Sequence, residues 1–418
     1  MNAITKNLGS VLPVSSDPWK LRTLTDTILR MIWSENQVSR IEIAKRMGLA
    51  RSTVTEIVKE LINSGFVVEV GTGESKGGRR PIVLEFQHEM HCIIGVDIGA
   101  THISVAMTDL RGNMIHWEER KHPVRSDPEG SLKLVFELCD LCLAGRKTPS
   151  QKLLGIGVAL PSPIDPVHPG WISELVLPAW HGRNEIELLG QKYGVPVYVD
   201  NDANLGAIAE HRWGAGRGVN DLIYIKLSHG VGAGFILGGE IYRGASGAAG
   251  EIGHFPIDIY GKRCVCGMRG CLVNYVGADA LKIRARQLFE EYPESVLAGQ
   301  NPRIRDIEDA AINGDTLAVR VVREAAEYIG IAIAGWLNLM NPSMVILGGD
   351  LARTGDLLTD PLHEKSRNCA LVKSVENIQI KISELGSQAI ALGAATLVIE
   401  EVFAEPNILR QRTHPGVI

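Results

Sequence analysis

The sequence predicts an α/β body behind a short helical module, and three observations predict it. Residues 20–85 carry apolar residues at helical spacing that give way to two strand-like runs. From His91 onward strand-like runs alternate with helical stretches. A strand, a small-residue turn and a second strand occur twice, in "CIIGVDIGATHISVAMTD" and in "DLIYIKLSHGVGAGFILGGEIYRG". A repeated unit of this kind implies two α/β halves facing each other across a cleft.

Size and charge agree with this. A chain of 418 residues, 45% of them apolar, has room for two or three domains and a large core. Its net charge of −5 is uneven: between Lys20 and Glu85 eleven Lys or Arg face eight Asp or Glu, so that segment is +3 and the remainder −8. The segment is therefore the candidate for a polyanionic partner. No run of 18 apolar residues is present, and the first twenty residues lack the charged, apolar, small-residue order of a signal peptide. The expected protein has no membrane segment and is cytoplasmic.

The module reads as a winged helix-turn-helix. "LTDTILRMIW" is a first helix; Ser39 is the expected N-cap of a second, which carries Ile41, Ile43, Ala44 and Met47. Gly48 makes the tight turn, and a third helix starts near Ala50 with Val54, Ile57, Val58 and Leu61 facing inward. Arg51, Ser52, Thr55 and Lys59 then point outward, with Thr53 beside them, where they can reach base edges and phosphates. Two strand-like runs follow, Phe66 to Val70 and Ile82 to Phe86. The glycine-rich loop between them carries Lys76, Arg79 and Arg80. Such modules also serve as protein-interaction units, but a loop of Gly and Arg suits a nucleic-acid groove.

In the larger part, "PVYVDNDANLG" sends a buried strand, Val195 to Val199, into a helix and delivers Asp200, Asn201, Asp202 and Asn204 at the junction. Asp200 or Asn201 could simply cap that helix. Polar groups at the carboxyl end of a strand are also where open α/β sheets bind ligands. Cys264, Cys266 and Cys271 lie within eight positions, and in a reducing compartment such clustered thiols lean toward metal binding. Cys92, Cys139, Cys142 and Cys369 are scattered singly and are expected to be buried or idle.

Taken in order, "GVDIGAT", "VDNDAN", "GAAGEIGH" and "CVCGMRGC" behind a winged helix-turn-helix resemble the ROK family of sugar-responsive repressors and sugar kinases. The resemblance covers nearly the whole chain. It implies an actin-like, hexokinase-like ATPase fold of the ribonuclease-H type, in two α/β lobes. With the N-terminal module at 1–88, the lobes would span 89–205 and 206–418, the C-terminal helix returning to the first.

The resemblance also implies a structural zinc ion held by His254, Cys264, Cys266 and Cys271, a set that fills a tetrahedral shell. It implies a sugar pocket formed by Asn201, Asp202, Glu251 and His254, Asp202 matching the kinase's catalytic base. Several positions depart from the family pattern. Val273 stands where a sugar-binding glutamate is usual, and Ser162 replaces a glycine in "GVALPSPID". Ala100 and His102 replace a glycine and a lysine of the first phosphate loop, and Ser228-His229-Gly230 replaces Gly-Thr-Gly in the second. Gly348 and Gly349 remain where kinases cradle adenosine. The expectation is a sugar-sensing repressor of carbohydrate genes, not an enzyme, that binds operator DNA as a dimer or tetramer. A sugar kinase with a fused DNA-binding module is the alternative, and a pure protein-binding adaptor a third class.

Overall fold

The computed structural model describes residues 11–12, 24–35, 37–72, 81–148, 151–165, 176–180, 186–371 and 376–404. A two-residue strand, β1 (Val11–Leu12), pairs in parallel with Val197 and Tyr198. Helix α1 (Leu24–Ser34) then buries Ile28, Leu29, Ile32 and Trp33 on one face. After β2 (Val38–Ser39) comes α2 (Arg40–Met47), started by a capping box: the Ser39 hydroxyl accepts from the Glu42 amide, and the Ser39 amide donates to the Glu42 carboxylate at 2.9 Å. Gly48, at φ 64°, stops the helix in the left-handed region. Ile43 and Ala44 are buried, whereas Ile41 is 46% exposed, because it lies on the opposite face of this short helix.

Helix α3 (Arg51–Asn63) buries Val54, Val58 and Leu61 and leaves Ile57 half-buried. Two strands complete the module, β3 (Val67–Thr72) and β4 (Ile82–Phe86), in the sheet order β2-β4-β3. β3 starts one residue later than the apolar run because Phe66 is drawn into the core, stacked on Phe86 at 6.1 Å.

The first large sheet contains β1, β5 (His91–Ile98), β6 (His102–Thr108), β7 (Met114–Lys121), β8 (Lys152–Leu160) and β9 (Val197–Asn201), in the order β1-β9-β8-β5-β6-β7. Helices α4 (Pro128–Ala144) and α5 (Glu187–Tyr193) lie between its strands in the chain. β9 both starts and ends two residues later than the expected Val195 to Val199, its end set by Asn201, which closes the strand and caps α6 (Asp202–Trp213). The second sheet is β10 (Leu222–Leu227), β11 (Val231–Leu237), β12 (Glu240–Tyr242), β13 (Met344–Gly348) and β14 (Gln379–Ile382), in the order β12-β11-β10-β13-β14.

Over the second sheet α7 (Val273–Val276), α8 (Ala278–Gln287), α9 (Ile304–Ile312), the long α10 (Thr316–Met340) and α11 (Asp356–Cys369) contribute to one apolar core. The closing helix, α12 (Ala389–Ala404), lies on the first sheet and against α6. The contact is backbone-close: a Cβ at Gly393 would sit 1.9 Å from the Leu205 carbonyl, and one at Gly157 1.9 Å from that of Ala394. Residues 386–403 are apolar and long enough to cross a bilayer, yet they are mostly buried, as a core helix is.

The winged module does not stand apart. Ile28, Trp33, Val54, Phe66 and Phe86 belong to the same buried cluster as Leu205 and Ile208 of α6 and Val402 and Phe403 of α12.

Candidate ligand cleft, thiol cluster and nucleic-acid face

The strand-to-helix junction at β9 and α6 is built by its own polar groups. Asn201 Oδ1 accepts from the amides of Ala203 at 2.9 Å and Asn204 at 3.3 Å, and its Nδ2 donates to the Ser162 carbonyl at 3.1 Å. Asn201 is thus the helix cap, with one amide hydrogen left over. Asp200 accepts from the Asn201 amide and from Asn204 Nδ2, and its other oxygen takes Nε and Nη2 of Arg243 at 2.9 and 2.8 Å. Asp200 is therefore structural.

Asp202 opens α6, and Lys226 Nζ from β10 donates to its Oδ2 at 2.5 Å. Both side chains are buried, Lys226 being 12% and Asp202 8% exposed. Burial, with Asp97 adding to it, lifts Asp202 above the usual carboxylate range against the pull of Lys226. Burial opposes the charge of Lys226, but Asp202 and Asp97 beside it hold its pKa above the ordinary lysine value. Nothing local in the sequence pointed to Lys226 or Arg243; a lone basic residue at a strand end is an ambiguous signal.

Asp97, at the end of β5, lies across from His102, whose Nε2 is 3.1 Å from its Oδ2. Burial works against ionisation of both. The hydrogen bond and mutual charge outweigh it, so Asp97 stands below and His102 above their ordinary values. The ring also covers the first loop: a Cβ at Gly99 would meet His102 Cε1 at 2.5 Å. In the second loop the Ser228 hydroxyl accepts from the Asp350 amide at 3.2 Å, and His229 turns to within 3.9 Å of Asp279.

Glu251 lies near enough to Asp202 to feel its charge. The Ala233 amide of β11 donates to the Gly250 carbonyl at 2.8 Å and fixes the segment. Burial, with the Asp202 charge adding to it, pushes the Glu251 carboxyl up to about 7. Val273 heads the single turn α7 and packs against the second-sheet core, so no acceptor replaces the missing carboxylate at that position.

His254, Cys264, Cys266 and Cys271 converge, their ligand atoms all within 4.8 Å of one another. The hairpin that gathers them is held by the Cys264 amide donating to the Met268 carbonyl at 2.7 Å and the Gly270 amide to the Lys262 carbonyl at 2.9 Å. A tetrahedral ion with metal–sulfur bonds of about 2.3 Å places thiolates about 3.8 Å apart and a thiolate about 3.6 Å from an imidazole nitrogen. Cys266 Sγ lies 3.7 Å from Cys271 Sγ, and Cys264 Sγ 3.6 Å from His254 Nδ1. The donor set fits a metal ion. Of the scattered thiols, Cys92, Cys139 and Cys142 are buried and Cys369 is exposed.

On the winged module Arg51, Ser52, Thr55 and Lys59 are exposed along one stripe of α3, with Thr53 half-buried at its edge. The Thr55 hydroxyl donates back to the Arg51 carbonyl at 2.7 Å. Lys76, Arg79 and Arg80 lie outside the described residues.

With this geometry in view, the similarities to known proteins are specific. The ROK family model matches residues 93–401, and a winged helix-turn-helix DNA-binding model matches residues 24–68. The chain belongs to the ROK family. A xylose repressor of Caldicellulosiruptor bescii is 33% identical over 384 residues, covering 91% of this chain and 96% of the relative. Among solved structures, a ROK family transcriptional regulator homologous to the Escherichia coli Mlc protein superposes with a TM-score of 0.79. It is 26% identical and is matched over 93% of this chain and 97% of its own. A ROK family glucokinase from Streptomyces griseus, in complex with glucose and AMPPNP, gives a TM-score of 0.63 at 31% identity, over 73% of this chain and 98% of its own. The glucokinase matches a smaller share of the chain than does the regulator. The fold is therefore the two-lobed hexokinase-like one with a winged helix-turn-helix ahead of it.

Proposed function

We propose that this ROK protein is a sugar-responsive transcriptional repressor. Its α3 and wing read operator DNA, and a sugar in the cleft changes that affinity. One observation carries the reading: a winged module shares a core with a kinase-like body in which two buried carboxylates, Asp202 and Asp97, are engaged by the chain's own basic side chains. Lys226 holds Asp202 and His102 holds Asp97. Phosphoryl transfer needs a base free to take the hydroxyl proton, and Asp202 is the position that matches it. With both engaged, the cleft keeps hydroxyl-binding groups and loses the arrangement for catalysis. A xylose repressor and the Escherichia coli repressor Mlc match 91% and 93% of the chain, although the family also includes kinases.

In this reading Asp202 and Glu251 accept sugar hydroxyls from opposite sides, Asn201 contributes its remaining amide hydrogen, and His254 belongs to both cleft and metal site. The ion is a structural zinc, since Cys264, Cys266, Cys271 and His254 leave no open position for water. The winged module, 1–88, precedes two α/β lobes that join through α6 rather than at 205/206, with α12 returning to the first sheet. The protein works in the cytoplasm as a dimer or tetramer, two recognition helices meeting two half-sites.

The experiment is DNA-binding anisotropy with a duplex that the protein itself selects from a randomised pool, with and without D-xylose and then other monosaccharides. Asp202→Ala and Glu251→Ala should each abolish the sugar response and leave sugar-free DNA affinity within about twofold; a response equal to the parent's in both variants refutes the pocket. Steady ATP-dependent phosphorylation of a sugar, lost in Asp202→Asn, would instead establish the kinase.

A further inference from the structure

Helix α6 has its two ends in different places. Its first residue, Asp202, meets Lys226 of β10 at the candidate ligand site, and every residue from Asp202 to Glu210 is buried. Its last two, Arg212 and Trp213, lie against the winged module. Arg212 donates to the Glu400 carboxylate of α12, and Arg30 of α1 donates to the other oxygen of that carboxylate at 2.6 Å. Arg30 is also paired with the buried Asp26 at 2.9 Å. The Trp213 ring meets Trp33 of α1 edge-on at 5.9 Å, and Trp33 meets Phe403 at 5.3 Å. Both indole N–H groups are committed: Trp33 Nε1 donates to the Leu110 carbonyl at 2.7 Å and Trp213 Nε1 to Thr396 Oγ1 at 2.8 Å. The Arg212 guanidinium lies 5.3 Å from the centre of the Trp33 ring.

Between those ends the helix has no freedom to slide. Its backbone touches α12 at the Leu205 carbonyl and β11 at the Ala203 carbonyl, where a Cβ on the facing Gly393 or Gly234 would come within 1.9 or 2.5 Å of the carbonyl oxygen. A helix packed on backbone moves as a rod about 18 Å long. We propose that Arg212, Trp213 and Glu400 form a joint through which a ligand at the Asp202 end of α6 resets the angle of the winged module. This rests on the effector reading of the cleft. Glu400 is the pivot, because one carboxylate holds an arginine from the DNA-binding module and an arginine from the ligand-bearing helix. A rotation of α6 against α1 therefore either strains one of the two bonds or carries the other arginine with it.

The test uses the full-length protein, the duplex selected by the parent, and D-xylose as first probe with a monosaccharide panel behind it. Glu400→Gln, Arg212→Met and their double variant are compared in two measurements. One is the ratio of DNA affinities with and without sugar; the other is sugar binding by calorimetry. The joint predicts that each single substitution reduces the ratio at least about fivefold, that the double reduces it no further, and that sugar affinity stays within about twofold. A parent-like ratio in both single variants overturns the proposal. So does a loss of DNA affinity with the ratio preserved, which would make the contacts merely stabilising. If no sugar binds the parent or alters its DNA affinity, the effector reading itself fails and the joint with it, a result distinct from variants that bind sugar and still respond.

Discussion

Lys226→Met is the sharpest perturbation of the cleft. It deletes the ammonium that sits 2.5 Å from Asp202, in a place where the two side chains are 12% and 8% exposed. Breaking a buried ion pair by removing one partner costs about 3–5 kcal/mol, most of it from the charge left behind. Here the stranded charge has an outlet, because burial and Asp97 already raise the proton affinity of Asp202. An acid whose folded pKa is raised loses stability as pH rises through that pKa, so the penalty should grow as pH rises from the ordinary carboxylate range, about pH 4, into mildly alkaline buffer. Asp202→Asn should cost less, since Lys226 keeps Asp97 as a counter-charge. In the double variant the two penalties should fail to add by about 2 kcal/mol or more. Urea unfolding followed by tryptophan fluorescence at the two ends of that range measures all three. A Lys226→Met penalty below about 1 kcal/mol in mildly alkaline buffer, or one independent of pH, would refute the reasoning.

Protein purified without added metal should carry about one zinc per chain by elemental analysis, and Cys264→Ser or Cys271→Ser should lose it. Those variants should lose the sugar response before DNA binding; a metal-free protein with a full response rejects the site. Arg51→Ala should weaken binding to the selected duplex by about 1–3 kcal/mol, and more than binding to random duplex. Arg79→Ala with Arg80→Ala should weaken both and flatten the salt slope by about two, read from titrations at several salt concentrations. The His102–Asp97 pair should stabilise the fold within a pH window. Because the folded pKa of His102 is raised, its contribution is complete below the ordinary histidine value and fades as pH rises through the folded one. Because that of Asp97 is depressed, the contribution also fades in acid, as pH falls through it. Thermal melts of His102→Gln against the parent should differ most between the ordinary carboxylate and histidine values, about pH 4 to 6.5, and the difference should shrink as pH moves beyond either side.

Much of the molecule was legible in the sequence because its causes are local. Ser39 and Glu42 are three residues apart and make their capping box within one helical turn, and Gly48 ends that helix at a positive φ. The apolar spacing of Val54, Val58 and Leu61 set the inner face of α3, and thereby the outer stripe of Arg51, Ser52, Thr55 and Lys59. The three cysteines announced their cluster by spacing, and the strand-to-helix junction announced Asp202. The boundaries that shifted did so for tertiary reasons: Phe66 left its strand to stack on Phe86, and Asn201 extended its strand to cap α6.

Only the tertiary structure decided which partners the charged groups take. Lys226 meets Asp202 from 24 positions away, Arg243 meets Asp200 from 43, and the Glu400 carboxylate gathers Arg212 from 188 and Arg30 from 370. No periodicity links such residues. A basic side chain is compatible with solvent, with phosphate or with any carboxylate, and the choice is made when burial removes water and leaves one opposite charge within reach. The same holds for the joining of the winged module to the body. Trp33, Trp213 and Phe403 are each unremarkable apolar residues on their own helices, and they become an interface only where packing α12 on the first sheet brings the three helix ends together.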